Sequence, residues 1–557
     1  MKEAIAGILK KALKELKVDL KKEEIERFLE TPPSSDMGDY AFPCFFLASK
    51  LKQEPSQIAL EIRGKIGTAP EDFESIQTSG PYINFFLDRK KMAVDLVRSI
   101  LAKKDNFGKI DIGKKQKALV EHTSINPNAS PHVGRVRNAI IGDSIVRILE
   151  FVNFKPEVHY YVNDVSKQIA MLVLAKAEKL KFENMLKKYI QISKKVKKSE
   201  KLEKQVFELL RKFEDGNRET VSKFRKITKT CVKGQKEILS EIGINYDYFD
   251  YESDYLSKAK DVFLKLSKTK KLHKDKEKRF YLDQKSTPVE KKMKSPVLVL
   301  TRSDGTGLYP LRDIAYTLDK LKKSGKNIII LGEDQKLYFL QINEALKLLG
   351  QASPEVVHYS FILLKGKGKT KKMSTRKGDI VLLSDFLDEA IDKAKKAISK
   401  RETKGDPKNV AISAIKYSIL KNNPNKAILF DLNEALNFEG DTGPYMLYSY
   451  ARASSILRKA KKAKKQSKLR QLEPKEIELI SKLSQFQEII LNSYKNLNPS
   501  LIANYSYQLA KIFNEFYHAC PVIGSPNESF RLSLVEAFRI VLKNSLSLLG
   551  IETLERM

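Results

Sequence analysis

The chain has 557 residues, of which 42% are hydrophobic and 31% charged, and it carries a formal net charge of +34. This length predicts three or four domains, and because no stretch approaches the roughly 18 consecutive apolar residues that cross a bilayer, the composition excludes an integral membrane protein. The positive charge favours a polyanionic partner such as nucleic acid, although a Lys-rich genome is an alternative that charge alone leaves open.

The cysteines and the N-terminal sequence indicate a reducing compartment. Cys44, Cys231 and Cys520 are far apart, so no CxxC pair exists that could bind zinc or begin a disulfide framework. Residues 1–17 alternate Lys with apolar residues at helical spacing and lack the apolar core and cleavage site of a secretory signal. We therefore expect a cytoplasmic protein with no metal site and no structural zinc.

Residues 1–112 predict a small α/β domain. An amphipathic helix at the start is followed by a turn rich in Pro, Ser and Gly, by a helical run near 40–51 and by an apolar strand at Tyr82–Leu87. Residues 108–115 have the composition of a linker to the next domain.

The following segments predict a Rossmann-like α/β domain with a parallel sheet at 113–408. Residues 117–123 form a short apolar run that is typical of a buried strand, and 135–151 repeat apolar side chains at the spacing of a helix. Apolar runs at 297–301 and 328–331, each followed by a helical pattern, predict further parallel strands. The sheet is therefore expected to be discontinuous in sequence.

Two other regions differ from this pattern. The stretches 175–243 and 258–294 are rich in Lys, the first with helical spacing, and they predict a helical and basic insertion near 175–294. Every segment of 409–557 has a helical period, which predicts an all-α C-terminal helix bundle.

A candidate phosphate-binding loop, residues 126–135, separates the first strand of this sheet from its helix. A helix N-terminus offers unpaired N–H groups and a positive dipole end, Gly134 lets the backbone approach a phosphate, and His132 can donate to phosphate oxygens. The pattern is that of a possible ATP site, and an ordinary capped turn is the alternative.

A second basic element, KKMSTRKG at 371–378, follows a GKGKT stretch. Cations there could close over a triphosphate and neutralise charge as pyrophosphate leaves. A solvated basic loop is the alternative, but the presence of both elements in this order favours ATP binding.

The two elements resemble the HIGH and KMSKS motifs of class I aminoacyl-tRNA synthetases, and VEHTSINPNASPHVGRVRNAIIGDSIVRILE resembles the arginyl-tRNA synthetase family in particular. Other matching stretches cover nearly the whole chain: MGDYAFPCFFLASKLKQEPSQIA, SGPYINFFL, YYVNDVSKQI, RSDGTGLYPLRDIAY, LGEDQKLYFLQ, FEGDTGPYMLYSYARASSILRK and the terminal LERM. The resemblance implies a tRNA-contacting N-terminal domain at 1–112, an anticodon-binding domain at 409–557 and arginine-tRNA ligase activity. It implies L-arginine, ATP with Mg²⁺ and tRNA(Arg) as partners, and a monomeric enzyme.

The resemblance also assigns roles to individual residues of the two motifs. It implies catalytic roles for seven residues: His132, Gly134, Arg135, Lys372, Ser374, Arg376 and Lys377. It assigns ATP binding to Asn128, His132, Gly134, Lys372 and Met373.

A pocket for arginine needs carboxylates, carbonyls and aromatic surface rather than cations, because a guanidinium presents planar donors and no acceptor. By the resemblance, Asp313 and Tyr309 hold the guanidinium and Gln335 assists. Glu121 and Asn126 contact the amino-acid end. A capping or core role is the alternative for each residue. Two further polar residues are expected to line the same cleft: Asn163 and Asp164.

The reaction requires no nucleophile, acid or base from the protein, because the substrate carboxylate attacks the α-phosphate of ATP. In the helix bundle, Tyr448, Tyr517 and Met557 could support unstacked anticodon bases and Arg452 could bind phosphates, with core packing as the alternative for the aromatic groups. The resemblance further implies that activation of arginine requires bound tRNA.

Two positions depart from the family motifs. Arg135 replaces the second His of HIGH, and Thr375 replaces the second Lys of KMSK. Family members without that lysine often carry one just upstream of the first His, where this chain has Ala129 and Ser130. We hypothesise that another group supplies the missing cation, and the candidates are Arg135, Lys371, Arg376 and Lys377.

Two rival interpretations remain. The cysteine enzyme of the same class has a similar helical C-terminal domain, but it would need a zinc-binding thiol cluster that this sequence lacks. A catalytically silent tRNA-binding protein derived from a synthetase would explain Arg135 and Thr375. Such a protein would have no need for the four pocket residues together: Glu121, Tyr309, Asp313 and Gln335.

Overall fold

The computed structural model describes residues 1–34, 37–365, 370–371, 381–401, 404–460 and 471–557. They form two compact units. The first comprises the described parts of Met1–Lys104, Lys461–Ser484 and Phe516–Ala537, and the second those of Asp105–Ala460, Gln485–Glu515 and Phe538–Met557. No helix within these ranges is long and apolar enough to span a membrane.

The N-terminal part of the first unit contains helices and a small antiparallel sheet. Its elements are α1 Lys2–Glu15, α2 Lys22–Phe28, β1 Tyr40–Pro43, α3 Ala48–Leu51, α4 Pro55–Ile66, β2 Phe73–Ser79, β3 Tyr82–Leu87 and α5 Arg89–Lys103. The strand order is β1-β3-β2. Helix α1 buries Ile5, Leu9 and Leu13, which lie on one helix face because they are four residues apart. The predicted initial helix and the predicted strand at Tyr82–Leu87 are both confirmed.

The predicted helical run at 40–51 is wrong in its first half. Tyr40–Pro43 is a strand that pairs antiparallel with β3, and α-helix begins only at Ala48. Pro43 has no N–H to donate within a helix and restricts the residue before it to extended backbone, which favours the strand.

A parallel sheet forms the centre of the second unit. Its strands, with the connecting elements, are β4 Lys117–Glu121, α6 Val133–Phe151, β5 Lys155–Val162, α7 Lys167–Leu174, α8 Phe182–Val196, α9 Glu200–Glu214, α10 Arg218–Glu241, β6 Tyr248–Tyr251, α11 Leu256–Ser267, β7 Leu272–Lys274, β8 Phe280–Asp283, β9 Val297–Val299, α12 Tyr309–Lys323, β10 Lys326–Gly332, α13 Lys336–Leu348 and β11 Glu355–Tyr359. The strand order is β11-β10-β4-β5-β6, and all neighbours are parallel. The predicted Rossmann-like sheet, discontinuous in sequence, is therefore confirmed, including its strands at 117 and 328.

The predicted strand at 297–301 exists as β9 but does not belong to this sheet. It pairs antiparallel with β8 in a separate sheet of order β7-β8-β9. A three-residue apolar run does not indicate which strand it pairs with. Here its partner is β8, the nearest preceding strand in the chain.

Helices α7 to α10, between β5 and β6, form an insertion with its own hydrophobic core. Ile169, Met185, Val206, Phe224 and Cys231 are buried together in that core. Helices α8 to α10 agree with the helical spacing of 175–243, whereas the basic stretch at 258–294 also contains β7 and β8.

The described residues from 362 onwards are largely helical, and the helix bundle was predicted for 409–557 of this part. Its elements are β12 Ile362–Lys365, β13 Thr370–Lys371, α14 Leu383–Lys400, α15 Pro407–Leu420, β14 Ile428–Phe430, α16 Leu432–Ala435, α17 Gly443–Lys459, α18 Pro474–Ser484, α19 Phe486–Asn496, α20 Ser500–Ala519 and α21 Glu528–Leu548. Strand β14, inside the segment expected to be entirely helical, pairs parallel with β12. Its neighbour lies more than 60 residues earlier in the chain, so a local helical period could not reveal it.

Helix α6 lies unusually close to β4. A Cβ atom at Gly142 would lie 2.3 Å from Cγ of His122, just after β4, so only glycine fits there. This contact fixes the helix whose N-terminus carries His132 against the sheet.

Candidate active site

The carboxyl ends of β4, β5 and β10 are neighbours at one edge of the parallel sheet. Ligands of such sheets bind at this edge, where loops leave the strands. Here the loop after β4 leads to His132, β5 is followed by Asn163 and Asp164, and β10 is followed by Asp334.

A cavity of about 540 Å³ lies at this edge. Its lining includes five of the predicted site residues: Asn126, Asn128, His132, Gly134 and Arg135. Gln168 and Asp334 line it as well, and so do Tyr359, Phe361 and Ile362. The structure therefore brings the first predicted motif together around one hollow.

His132 has the properties of a ligand-binding side chain. It is the N-cap residue of α6 without making a side-chain cap, and its buried Nδ1 atom has no hydrogen-bond partner. Burial, with a smaller contribution from Arg135, lowers the pKa of the imidazole to about 4. The ring is therefore neutral at pH 7 and can form a hydrogen bond with a ligand. A second buried atom with no hydrogen-bond partner on the cavity lining belongs to Gln168.

The loop that carries these residues is fixed by the insertion. Gln235 of α10 donates from Nε2 to the carbonyl oxygens of Asn126 (3.1 Å) and Ala129 (2.8 Å). The Tyr160 hydroxyl oxygen lies 2.8 Å from Oε1 of Gln235 and 3.1 Å from the Ile125 carbonyl oxygen, and its one proton is shared between these two acceptors. Because all these groups are buried or partly buried, the loop is preorganised rather than shaped by a ligand.

Asp313 lies in a second cluster, formed by α12, β5 and α13. Its Oδ1 accepts a hydrogen bond from Tyr161 at 3.1 Å, and its Oδ2 accepts one from Tyr338. Burial raises the pKa of the Asp313 carboxyl above its usual range, and the Tyr338 hydrogen bond opposes that shift. Tyr309 is 51% exposed, and its ring centroid lies 5.2 Å from that of Tyr338.

Among the described residues, two others predicted to contact arginine, Glu121 and Gln335, do not hydrogen-bond to Asp313. Glu121, at the end of β4, forms a buried ion pair with Lys320, and Gln335 is exposed. Although all are described residues, Glu121, Tyr309, Asp313 and Gln335 are not part of the lining of the His132 cavity. The structure thus brings Tyr309 and Asp313 into one cluster, separate from the hollow of the first motif.

The sequence interpretation missed Tyr161, Tyr338 and Glu252. Glu252 is 2% exposed, accepts a hydrogen bond from Arg312 Nε at 2.6 Å and leaves Oε2 without a partner. Burial raises the pKa of Glu252 to about 7, opposed by Arg312. Tyr161 and Glu252 stand at the ends of β5 and β6, so a search for polar residues at strand ends could have found both.

Asn163 and Asp164 follow β5 as expected for residues of this edge. Asn163 has a buried Oδ1 without a hydrogen-bond partner, whereas Asp164 accepts one from the Ser253 backbone N–H at 2.9 Å.

The second motif lies largely outside the described residues. The residues of the motif that are not described include Lys372, Met373, Ser374, Thr375, Arg376 and Lys377. Within the described ranges, Lys371 belongs to β13, which pairs with β12. No group of three or more His, Cys, Asp or Glu residues that could hold a metal ion occurs in the ranges that are described.

The residues proposed for anticodon binding fall into both units. In the second, the Arg452 guanidinium lies 4.9 Å from the Tyr448 ring centroid and donates to Asn514 at 2.5 Å. Met557, also in the second unit, is half-buried, whereas Tyr517 in the first unit is 39% exposed.

Three family models match the chain over most of its length. They are the class I (R) tRNA synthetase catalytic domain at 96–432, the arginyl tRNA synthetase N-terminal domain at 2–87 and the DALR anticodon binding domain at 446–557. The domain built on the parallel sheet is thus the catalytic domain of a class I aminoacyl-tRNA synthetase.

Individual proteins narrow the assignment. The chain is 38% identical to the arginine--tRNA ligase of Methanocaldococcus jannaschii, with 96% of each chain covered, and 36% identical to that of Methanosphaera stadtmanae, with 100% and 99% covered. The solved arginyl-tRNA synthetase of Thermus thermophilus matches with a TM-score of 0.77 at 28% identity, covering 100% of both chains. The chain therefore belongs to the arginyl-tRNA synthetase family.

Proposed function

We propose that this chain is an arginine-tRNA ligase in which separate groups of residues bind ATP, arginine and tRNA. It activates L-arginine with ATP to arginyl-adenylate and pyrophosphate, and then transfers the arginyl group to the terminal ribose of tRNA(Arg). The observation that carries this proposal is the full-length similarity to arginine--tRNA ligases, together with a partly buried carboxylate, Asp313, that is hydrogen-bonded to Tyr161 near the end of strand β5.

ATP occupies the cavity at the N-terminus of α6. His132 and Gly134 bind phosphate oxygens there, and Asn128 contributes a further polar contact. The unsatisfied Nδ1 atom of His132 supports this role, since a buried polar atom without a partner costs free energy until a ligand satisfies it. Magnesium belongs to this substrate and is held by its phosphate oxygens. Residues of the second motif, three of them basic, complete the site: Lys372, Met373, Ser374, Arg376 and Lys377.

The guanidinium of arginine binds the Asp313 carboxylate and stacks on Tyr309. Gln335, Glu121 and Asn126 hold the rest of the substrate. The pairing of Asp313 with two neutral hydroxyl groups supports this assignment, because they orient the carboxylate without neutralising it.

In the first chemical step, the substrate carboxylate oxygen attacks the α-phosphorus of ATP and pyrophosphate leaves. In the second step, a terminal ribose hydroxyl of tRNA attacks the carbonyl carbon of the adenylate and AMP leaves. The protein contributes positioning and charge stabilisation to both steps.

The tRNA contacts are divided among the domains at 1–112, 113–408 and 409–557. Tyr448, Tyr517 and Met557 support anticodon bases, and Arg452 binds the backbone. The net charge of +34 supports binding of a polyanion of this size. We propose that the enzyme works as a monomer in the cytoplasm.

Exchange of labelled pyrophosphate into ATP tests the first step. We expect exchange only with arginine, and only with tRNA present. Single alanine variants of Arg135, Lys371, Arg376 and Lys377 identify the cation that replaces the second KMSK lysine. If each variant retains the wild-type exchange rate, the proposed triphosphate site is wrong.

A further inference from the structure

Arg137 is a buried cation on the helix whose N-terminus lines the proposed ATP cavity. It lies on α6, one turn after Gly134, and is 0% exposed. Its Nη1 donates to the carbonyl oxygen of Ser360 at 2.7 Å and its Nη2 to that of Asn423 at 3.2 Å. Within the described ranges no carboxylate pairs with it, and its buried Nε has no hydrogen-bond partner. A charge buried on carbonyl groups alone is costly, which indicates a role beyond packing.

The two carbonyl groups belong to the segments that lead into β12 and β14. The Ser360 N–H donates to the carbonyl of Pro424 at 2.9 Å, and the Ile428 N–H donates to that of Phe361 at 3.0 Å. The strands then run parallel from the pair Ile362 and Ile428. One planar guanidinium therefore holds both segments at the point where they meet, which the fork of an arginine can do and a lysine cannot.

The Ser360 segment is also part of the cavity wall. Phe361 and Ile362, which follow Ser360, line the same hollow as His132 and Gly134. Since Arg137 lies on the helix that begins directly after His132, its hydrogen bonds set the spacing between these two parts of the lining.

The chain that returns after residue 380 is attached to the start of the same helix. The Val133 N–H donates to the carbonyl of Val381 at 3.1 Å, and the Leu383 N–H donates to that of Pro131 at 2.9 Å. Helix α6 and the residues just before it thus bind the chain both before and after the second motif.

We propose that Arg137 is a positioning residue for ATP, which holds the Phe361 and Ile362 part of the cavity wall at the correct distance from the α6 N-terminus. This inference rests on the proposed function and deepens it. Burial lowers the pKa of Arg137 to about 10, so the guanidinium stays charged at neutral pH. Its charge adds to the positive end of the helix dipole that faces the triphosphate.

Steady-state kinetics of the full-length enzyme test this proposal. We expect Arg137→Met to raise the KM for ATP roughly ten-fold or more, because it loses the hydrogen bonds of a charged group that hold one wall of the ATP cavity. The KM for arginine should stay within about two-fold of the wild-type value, because Arg137 does not hold the Asp313 cluster. Arg137→Lys keeps the charge without the planar fork, so its KM for ATP should lie between that of the wild type and that of Arg137→Met. The control is Ser144→Ala on the same helix, which loses a 2.7 Å hydrogen bond to the carbonyl of Leu548 and should change neither KM.

Direct titration of each protein with ATP separates this inference from the proposed function. If the wild type charges no arginine, the proposed function fails, but weaker ATP binding by the Arg137 variants still supports the positioning role. An unchanged ATP affinity in Arg137→Met overturns that role, and so does an equal rise of both KM values. Should Arg137→Met fail to fold, an unchanged ATP affinity in Arg137→Lys overturns it instead.

Discussion

The Tyr161 hydroxyl donates a hydrogen bond to the Asp313 carboxylate across 3.1 Å, so that β5 and α12 meet at one acidic group. Tyr338 supplies the second hydrogen bond. Among the described residues, no Lys, Arg or His forms an ion pair with Asp313. A partly buried carboxylate whose hydrogen bonds come only from neutral hydroxyl groups still favours a cationic ligand, and the guanidinium of arginine is such a ligand.

Replacement of Asp313 by Asn should abolish most arginine recognition. We expect kcat/KM for arginine in tRNA charging to fall by about 100-fold or more, since removal of one partner of a buried ion pair costs about 3 to 5 kcal/mol. Asp319→Asn is the matched control, because Asp319 lies on the same helix but pairs with Lys258 and Lys323. Similar losses in the two variants would refute the assignment of Asp313.

Replacement of His132 by Ala should reduce use of ATP. The loss of one preorganised donor predicts a fall in kcat/KM for ATP on the order of 100-fold. Since the pKa of His132 is about 4, the wild-type profile should show no inflection from this group between pH 6 and 8. His273→Ala, an exposed histidine of β7, serves as control. The role of His132 would be excluded by unchanged kinetics in ATP–pyrophosphate exchange.

The stability of the enzyme should decrease in mild acid because of His122. This ring is buried, and burial lowers its pKa to about 4 despite the opposing Asp143. A histidine whose folded pKa lies below its unfolded value contributes stability above pH 6.5, and that contribution is lost as the pH falls towards 4. At pH 5 the loss is about 2 kcal/mol.

Thermal unfolding at pH 7.5 and pH 5 measures this effect. His122→Phe keeps a ring of similar size but cannot be protonated, so its midpoint should decrease less between the two pH values than that of the wild type. Equal decreases in both proteins would show that His122 does not contribute.

Two glycine substitutions should have opposite effects on stability. Gly142→Ala places a Cβ 2.3 Å from His122 and should destabilise by about 1 to 3 kcal/mol. Gly64, in the last turn of α4, has no atom within 4 Å of the position of an added Cβ, so Gly64→Ala should stabilise by about 0.5 to 1 kcal/mol. Thermal midpoints measure both changes. A Gly142→Ala midpoint at or above that of the wild type would contradict the close packing of α6 on β4.

The features that were predictable from the sequence are those encoded locally. Strand β4, the loop to His132 and helix α6 follow one another without interruption, so periodicity and one glycine were enough to predict their arrangement. The cavity lined by Asn126, Asn128 and His132 was predictable for the same reason.

The features that were missed depend on distant pairing. Tyr161, Glu252 and Tyr338 reach the region of Asp313 from three separate elements, and nothing in the intervening sequence indicates that they meet. The prediction of a parallel strand at β9 is wrong because a short apolar run does not show whether a strand pairs parallel or antiparallel. Arg137 resembles an exposed helix residue in sequence, and only the tertiary fold places it on the carbonyls of Ser360 and Asn423.

Charging of purified tRNA with labelled amino acids tests the central claim most directly. The wild-type chain should attach arginine to tRNA in the presence of ATP, with no product from lysine or cysteine. Attachment of cysteine or lysine would contradict the arginine pocket, and binding of tRNA without attachment of any amino acid would identify a catalytically silent binding protein.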